Sequence, residues 1–221
     1  GAAEDRRVLD VRLHEHVPWH LAARHGARVC YICAEARLEE LYRGAEGYSM
    51  VRLGSQPVWD PKKWPLIIEG KTSLRAQLNR ARNKGVTVEE WPYGRAQNNA
   101  ELHKCLGEWL ASRGLPPLHF LVEPETLARL TDRRTFIAMR AGRVVGFLIA
   151  SPVPERNGWI VEQNVRGENA PNGTTELLLD VAIRALAADE AEYLTLGLAP
   201  LSNKAIAPNA ENPLWLRTVL S

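Results

Sequence analysis

The stretch Trp159–Leu179, WIVEQNVRGENAPNGTTELLL, decides the fold, because its hydrophobic period changes halfway along. Trp159, Ile160, Val161 and Val165 are β-formers, interrupted by the polar Glu162, Gln163 and Asn164, and they read as a strand. Ala170-Pro171-Asn172-Gly173-Thr174 supplies turn residues and helix caps. Leu177, Leu178, Val181, Ile183 and Leu186 then recur at helical spacing. A helix that opens straight out of a strand presents unsatisfied N–H groups and a positive dipole end, which suit a phosphate or a carboxylate. An ordinary strand-to-helix connection has the same composition, so the residues alone leave both readings open.

The chain has 221 residues, enough for one large domain or two small ones with a real core. At 45% hydrophobic and 24% charged residues it is composed like a globular protein. No apolar run approaches the roughly 20 residues of a membrane span, and there is no secretory h-region. A net charge of +2 is too small to mark a nucleic-acid binder by itself. The charge is uneven, however. Seven bases between Pro61 and Lys84 (Lys62, Lys63, Lys71, Arg75, Arg80, Arg82, Lys84) face only Glu69, a local +6 that leaves −4 for the remainder. Three cysteines in a chain of this length fit a reducing compartment. Cys30 and Cys33 have C-x-x-C spacing but no second pair to complete a zinc site, and they read as core thiols. His14, His16, His20 and His25 have no acidic or cysteine partner at a ligand spacing, so no metal site is expected.

Upstream of the deciding stretch, Thr135–Ala141 and Arg143–Ser151 read as a hairpin turning at Ala141-Gly142. Glu123–Asp132 reads as a short helix with Pro124 in its first turn, after the rigid loop Arg113–Phe120. Asn98 or Asn99 caps a helix that carries Leu102, Leu106, Trp109 and Leu110 on one face. Gly85–Trp91 is a strand. The helix before it, about twelve residues long, opens at Thr72 or Ser73 and buries Leu74, Leu78 and Ala81. Arg75, Asn79 and Arg82 make a polar stripe on it, with Arg80 and Lys84 alongside. That stripe is either a solvated face or a phosphate-binding surface, since guanidinium groups grip phosphate oxygens in pairs. Gly54–Pro65, with three prolines and two tryptophans, reads as an ordered, non-helical connector. Further back, Arg6–Leu13 and Ala27–Ala34 read as strands and Ala36–Tyr42 as a short helix; downstream, Tyr193–Gly197 is a short strand.

A hairpin feeding a strand, helix and strand makes a mixed-sheet α/β (α+β) domain with flanking helices. The order resembles that of acyltransferases of the acetyltransferase (GNAT) type, whose turn after the central strand binds a cofactor pyrophosphate through backbone N–H groups. Their Gln/Arg-x-x-Gly-x-Gly/Ala sequence is absent, and Arg166-Gly167-Glu-Asn-Ala-Pro-Asn-Gly173 occupies the corresponding place. Acetyl-CoA or another acyl-CoA is therefore the alternative ligand.

Three segments together resemble the C-terminal catalytic domain of phosphatidylglycerol lysyltransferases and its soluble relatives. They are Leu74–Ala81 with Gly85 after it, Val165-Arg166 with Ala170–Thr174, and Leu196-Gly-Leu-Ala-Pro-Leu-Ser202. The likeness spans roughly Gln56 to Ser202, and Gln56–Pro61 with Arg113–Pro117 bring it nearer to the soluble relatives. It implies a tandem acetyltransferase-like fold: a shortened, degenerate half over residues 5–90 and a transferase half over 91–221. It implies a bacterial, cytoplasmic enzyme, in contact with the inner face of the membrane where the acceptor is lipid. That enzyme would move an aminoacyl group from aminoacyl-tRNA to a lipid or small-molecule acceptor, with no cofactor. Its lipid-modifying members carry Asp-Leu-Met-Arg where this chain has Gln163, Asn164, Val165 and Arg166, so Glu162 is the nearest acid. Strand alternation places Glu162 opposite Gln163. Members also continue past the segment matching Pro213–Arg217 into a Phe-Lys-x-Lys motif, so a truncated C-terminus is expected. The resulting expectation is that Glu162 and Arg166 act in catalysis. Arg75, Asn79, Arg80, Arg82, Gln163, Asn172, Gly173 and Thr174 bind substrate, and Glu176 either serves as a base or complements its helix dipole. An acyl-CoA-dependent N-acyltransferase and a non-catalytic binding module stay open beside it.

Overall fold

A computed structural model of the chain describes residues 24–26, 31, 34, 38–43, 45, 50, 54–112 and 124–200. The strands expected at Arg6–Leu13 and across most of Ala27–Ala34, the Cys30–Cys33 pair, His14, His16 and His20, the loop Arg113–Phe120 and everything after Pro200 lie outside the described residues. The chain divides into two compact units, Gly1–Arg52 and Leu53–Ser221. In the first, helix α1 spans Glu39–Arg43, a little later than the expected Ala36–Tyr42. Arg43 Nη2 bonds Glu39 Oε1 at 2.6 Å across one turn, and the buried Tyr42 ring lies 6.2 Å from that of Tyr31.

The second unit opens with two short strands, β1 (Gly54–Ser55) and β2 (Val58–Trp59), and a 3-10 turn at Pro61–Lys63. Helix α2 (Trp64–Glu69) follows, then α3 (Thr72–Asn83). The non-helical reading of Gly54–Pro65 therefore fails at its end. Proline is excluded from a helix interior but is tolerated in the first turn, and Pro65 sits there. The expected Thr72 or Ser73 cap is also displaced: α3 begins after Lys71, with no side-chain cap. Next come β3 (Val86–Trp91), α4 (Tyr93–Ala96) and α5 (Ala100–Ala111), which Asn99 caps by accepting from the N–H groups of Glu101 and Leu102. The expected helix after Pro124 is a 3-10 turn, Pro124–Ala128.

Strands β4 (Arg134–Arg140) and β5 (Arg143–Val153) form the anticipated hairpin. β6 (Gly158–Arg166), α6 (Thr174–Ala188), β7 (Tyr193–Thr195) and β8 (Ala199–Pro200) complete the unit. Among the described residues, six strands make one sheet in the order β2-β7-β6-β5-β4-β3, antiparallel throughout except for the parallel pair β6–β7. β1 and β8 form a separate antiparallel pair, where a Cβ on Gly54 would lie 2.2 Å from the Ala199 carbonyl oxygen.

Alternation along the strands sends side chains to two cores. Phe136, Ala138, Leu148, Ala150 and Val161 pack on one face with Leu78 and Ala81 of α3 and Leu177, Leu178, Ile183 and Leu186 of α6. Ile137, Phe147, Ile149 and Val165 pack on the other with Leu102, Cys105 and Leu106 of α5 and with Leu127 and Leu130. Fully burying such a side chain is worth about 1.5–3 kcal/mol, so both cores are substantial. The stretch that changes period in the sequence thus crosses the middle of the second unit, as β6 between the two cores and then as α6 over one of them.

Candidate functional site

Strand β6 is not regular. Ile149 pairs with Gln163 while Ala150 pairs with Val161, so Glu162 is an extra residue on the β6 side of the ladder. Such a bulge re-aims side chains. Glu162 accepts from Arg133 Nε at 2.9 Å and Nη2 at 3.2 Å, while Gln163 Nε2 donates to Thr126 Oγ1 at 3.3 Å. Both therefore reach the segment between Thr126 and Arg133. This corrects the expectation that Glu162 and Gln163 face opposite ways: simple alternation stops at the bulge. Past it, Asn164 lies across from Leu148 and Arg166 across from Gly146, which puts them on the α6 face of the sheet.

The partner strand does not follow β6 to its end. β7 pairs only with Gly158, Trp159 and Ile160, whereas β6 continues to Arg166. From Val161 onward the edge of β6 pairs with no strand among the described residues, and this unpaired edge is the gap between β6 and β7. A Cβ on Gly197 would come 3.6 Å from Ile160 Cδ1, so the loop after β7 passes where the two strands part. Leu196 of that loop is exposed. The N-terminus of α6 lies at the other end of the gap. Asn164 ties the two together by donating from Nδ2 to the Thr175 carbonyl oxygen at 3.2 Å. Its Oδ1 is buried and accepts no hydrogen bond from the described residues.

The turn between β6 and α6 is wedged between two helices. On one side Gly167 approaches α5: a Cβ there would lie 3.2 Å from Glu108 Oε2 and 3.3 Å from Cys105 Sγ. The N–H of Glu168 donates to Glu108 Oε2 at 3.3 Å. Burial and the Glu108 charge push the Cys105 thiol up to about 11. On the other side Gly173 touches α3, where a Cβ would sit 2.1 Å from the Gln77 carbonyl oxygen; its φ is +92° besides. Only glycine combines that backbone angle with that approach. Thr174 is fully buried, with its N–H and hydroxyl both donating to Pro171 O. Arg166 and Asn172 project outward, and Arg166 Nη1 donates to Asn172 Oδ1 at 3.1 Å. Glu176, in the first turn of α6, accepts from Thr175 Oγ1 at 2.8 Å.

The structure therefore brings together only part of the expected set. Arg166, Asn172 and the first turn of α6 meet at the gap, and Gly173 and Thr174 shape the turn from within. Glu162 and Gln163 lie on the other face of β6. Arg75 closes α2, donating to Ile68 O at 2.9 Å and also to Glu69 O. Arg82 pairs at 2.9 Å with Asp180, which is fully buried and also accepts from Trp64 and Arg184 at 2.9 Å each. Arg80 and Asn79 are exposed, with Arg80 Nη1 donating to Gln77 Oε1 at 3.2 Å. Asn164 was missed in the sequence, although an amide in the middle of a β-forming run was its visible signal. No group of three or more potential metal ligands occurs among the described residues.

A family described as phosphatidylglycerol lysyltransferase, C-terminal, matches residues 15–220. The chain belongs to that family. Among solved structures, it is similar to a domain from Agrobacterium fabrum assigned as the C-terminal domain of a lysylphosphatidylglycerol synthetase (TM-score 0.65, 17% identity, 91% of this chain and 66% of that one). It is similar also to L-PGS from Bacillus licheniformis (TM-score 0.68, 20% identity, 91% and 61%). A Bacteroides thetaiotaomicron protein of unknown function matches at TM-score 0.57, 14% identity, 81% and 63%. The chain thus spans less than two thirds of the length of each of these. No curated protein matches it. The mixed, acetyltransferase-like sheet with flanking helices is the observed fold, and no helix among the described residues is long and apolar enough to cross a membrane.

Proposed function

We propose that the chain transfers an aminoacyl group from aminoacyl-tRNA to a lipid or small-molecule hydroxyl or amine. The observation that carries this is the gap beyond Ile160, with Arg166, Asn172 and the start of α6 at its end, in a member of a lysyltransferase family. An aminoacyl ester is already activated, so the protein has to align the acceptor, take its proton and stabilise the oxyanion. Arg166, steadied by Asn172, and the amide end of α6 supply positive potential for the oxyanion or a donor phosphate. The Asn164 Oδ1 accepts an N–H of the aminoacyl group. Glu176 takes the acceptor proton and returns it to the departing ribose hydroxyl, as one ester bond breaks and an ester or amide bond forms. Glu162 fixes Arg133 and does not touch the reacting atoms.

The test is transfer of radiolabelled amino acid from a panel of charged tRNAs to phosphatidylglycerol vesicles and to soluble amines, beside a parallel assay with acetyl-CoA. Transfer from at least one charged tRNA, lost in Arg166→Gln, supports the reading. Turnover with acetyl-CoA alone overturns it in favour of an acyl-CoA-dependent enzyme, and no turnover with either donor overturns it in favour of a binding module.

A further inference from the structure

Two segments without a single Asp or Glu, Gly70–Val88 and Arg133–Pro154, meet at one end of the sheet. Val86 at the start of β3 pairs with Arg140 at the end of β4, and Arg140 pairs in turn with Arg143 at the start of β5. Arg140 Nε donates to the Lys84 carbonyl oxygen at 3.0 Å, closing β4 onto the end of α3. Residues directly across a ladder share a face. Val86 belongs to the core under α3 and α6, so Arg140 and Arg143 project on that same side, the side that also carries Arg166. Arg80 lies one turn before Lys84.

This placement is costly. Like charges directly opposite on antiparallel strands destabilise the pair. Arg82, Arg133 and Arg134 have carboxylate partners, whereas Arg80, Lys84, Arg140 and Arg143 are exposed and have no acidic partner among the described residues. Glu101 and Glu108 sit on α5 across the sheet, where they accept from Val144 N and Glu168 N. Ordinary solvated faces intersperse both signs. A run of one sign, drawn from three elements and leading to the mouth of the gap, has the form of a track for a polyanion.

We infer that Arg80, Lys84, Arg140 and Arg143 bind the phosphodiester backbone of the RNA part of the donor, and so guide its acylated end toward Arg166. The inference rests on the proposed aminoacyl-tRNA reading and extends it from the reacting end to the nucleic acid behind it. Neutralising a phosphate contact lowers the salt dependence of binding by about 0.7–0.9 per charge. The experiment is anisotropy of the full chain with uncharged tRNA across a salt series. Flotation with phosphatidylglycerol vesicles and the transfer assay run beside it. Arg140→Gln/Arg143→Gln is expected to weaken tRNA binding about tenfold and to lower the slope by about 1.5, with vesicle binding unchanged. Arg140→Lys/Arg143→Lys retains the wild-type slope. Arg143→Gln alone, which leaves the Arg140–Lys84 bond in place, gives about half the change.

Wild-type transfer combined with unaltered tRNA affinity and slope in the double variant overturns the track and leaves the transferase reading standing. Loss of vesicle binding with tRNA binding retained also overturns it, and assigns the surface to the membrane. Charge-dependent tRNA binding without transfer from any aminoacyl-tRNA supports the track and overturns the catalytic reading instead. A wild-type chain that binds no tRNA removes both.

Discussion

Trp64 donates its indole N–H to Asp180 Oδ1 at 2.9 Å, joining α2 to α6 across 116 residues of sequence. With Arg82 and Arg184 on the same carboxylate, Asp180 gathers three helices around one buried charge. A buried charge is tolerated only when it is paired and hydrogen-bonded, and three donors meet this one. Asp180→Ala is expected to cost about 3 kcal/mol, since it strands an indole N–H and two guanidinium groups. Arg82→Ala should cost about 1 kcal/mol, because its side chain is half exposed. Urea denaturation of both variants measures the difference, and equal losses would refute the ranking.

Gly173→Ala should destabilise by about 3 kcal/mol, from an unfavourable φ and the overlap with Gln77 O together. Gly142, also at positive φ but with open space around it, should lose only about 1 kcal/mol on the same change. Thermal melts of the two variants separate the packing component from the backbone component.

Arg166→Gln should leave the melting temperature near wild type, since Arg166 is exposed and makes one side-chain bond, to Asn172. Transfer should drop about a hundredfold, the usual loss for one oxyanion or phosphate donor. Asn164→Leu should also fold within about 1 kcal/mol of wild type, because the acceptor it removes has no donor and the amide bond it loses is single. Its kcat/KM should fall at least about tenfold, with a weaker effect on donors whose amino group is blocked. Steady-state kinetics with blocked and unblocked donors decides this.

Glu162→Gln should lower stability by less than about 1 kcal/mol and leave kcat within about threefold, as expected for a partly exposed ion pair. A hundredfold loss of kcat at unchanged stability would restore Glu162 to the chemistry.

Cys105 gives the pH dependence. Its thiol rises from 9.0 to about 11 on folding, so above pH 9 the unfolded chain releases a proton that the folded chain keeps. The stability it contributes is whole below pH 9 and is lost as pH rises through 11. Denaturation midpoints should fall across that window, and Cys105→Ala should flatten the fall.

The period change between Val165 and Leu177 was sufficient to place β6, its turn and α6, because both elements bury a clean apolar face. The bulge at Glu162 left no such mark, since it depends on where β5 pairs. Helix α2 was hidden by Pro65, which reads as a breaker unless its first-turn position is known. The roles of Arg75 and Arg82 were equally hidden. Their spacing on α3 shows a common stripe, but Ile68 O and Asp180 come from elsewhere in the chain. Arg166 and Asn172, six residues apart in one turn, were visible as neighbours because the contact is local.

β1 pairs with β8, and the Thr195 hydroxyl donates to Pro57 O, a bond between residues 138 apart in sequence. Closing so long a loop is slow compared with forming the β3–β6 meander, whose partners are close in sequence. During synthesis, therefore, the meander and α5 can settle while β2 still waits for β7 to emerge. The edge of β6 beside Ile160 acquires its neighbour β7 last, so the site proposed here is not complete in a nascent chain until β7 has been translated.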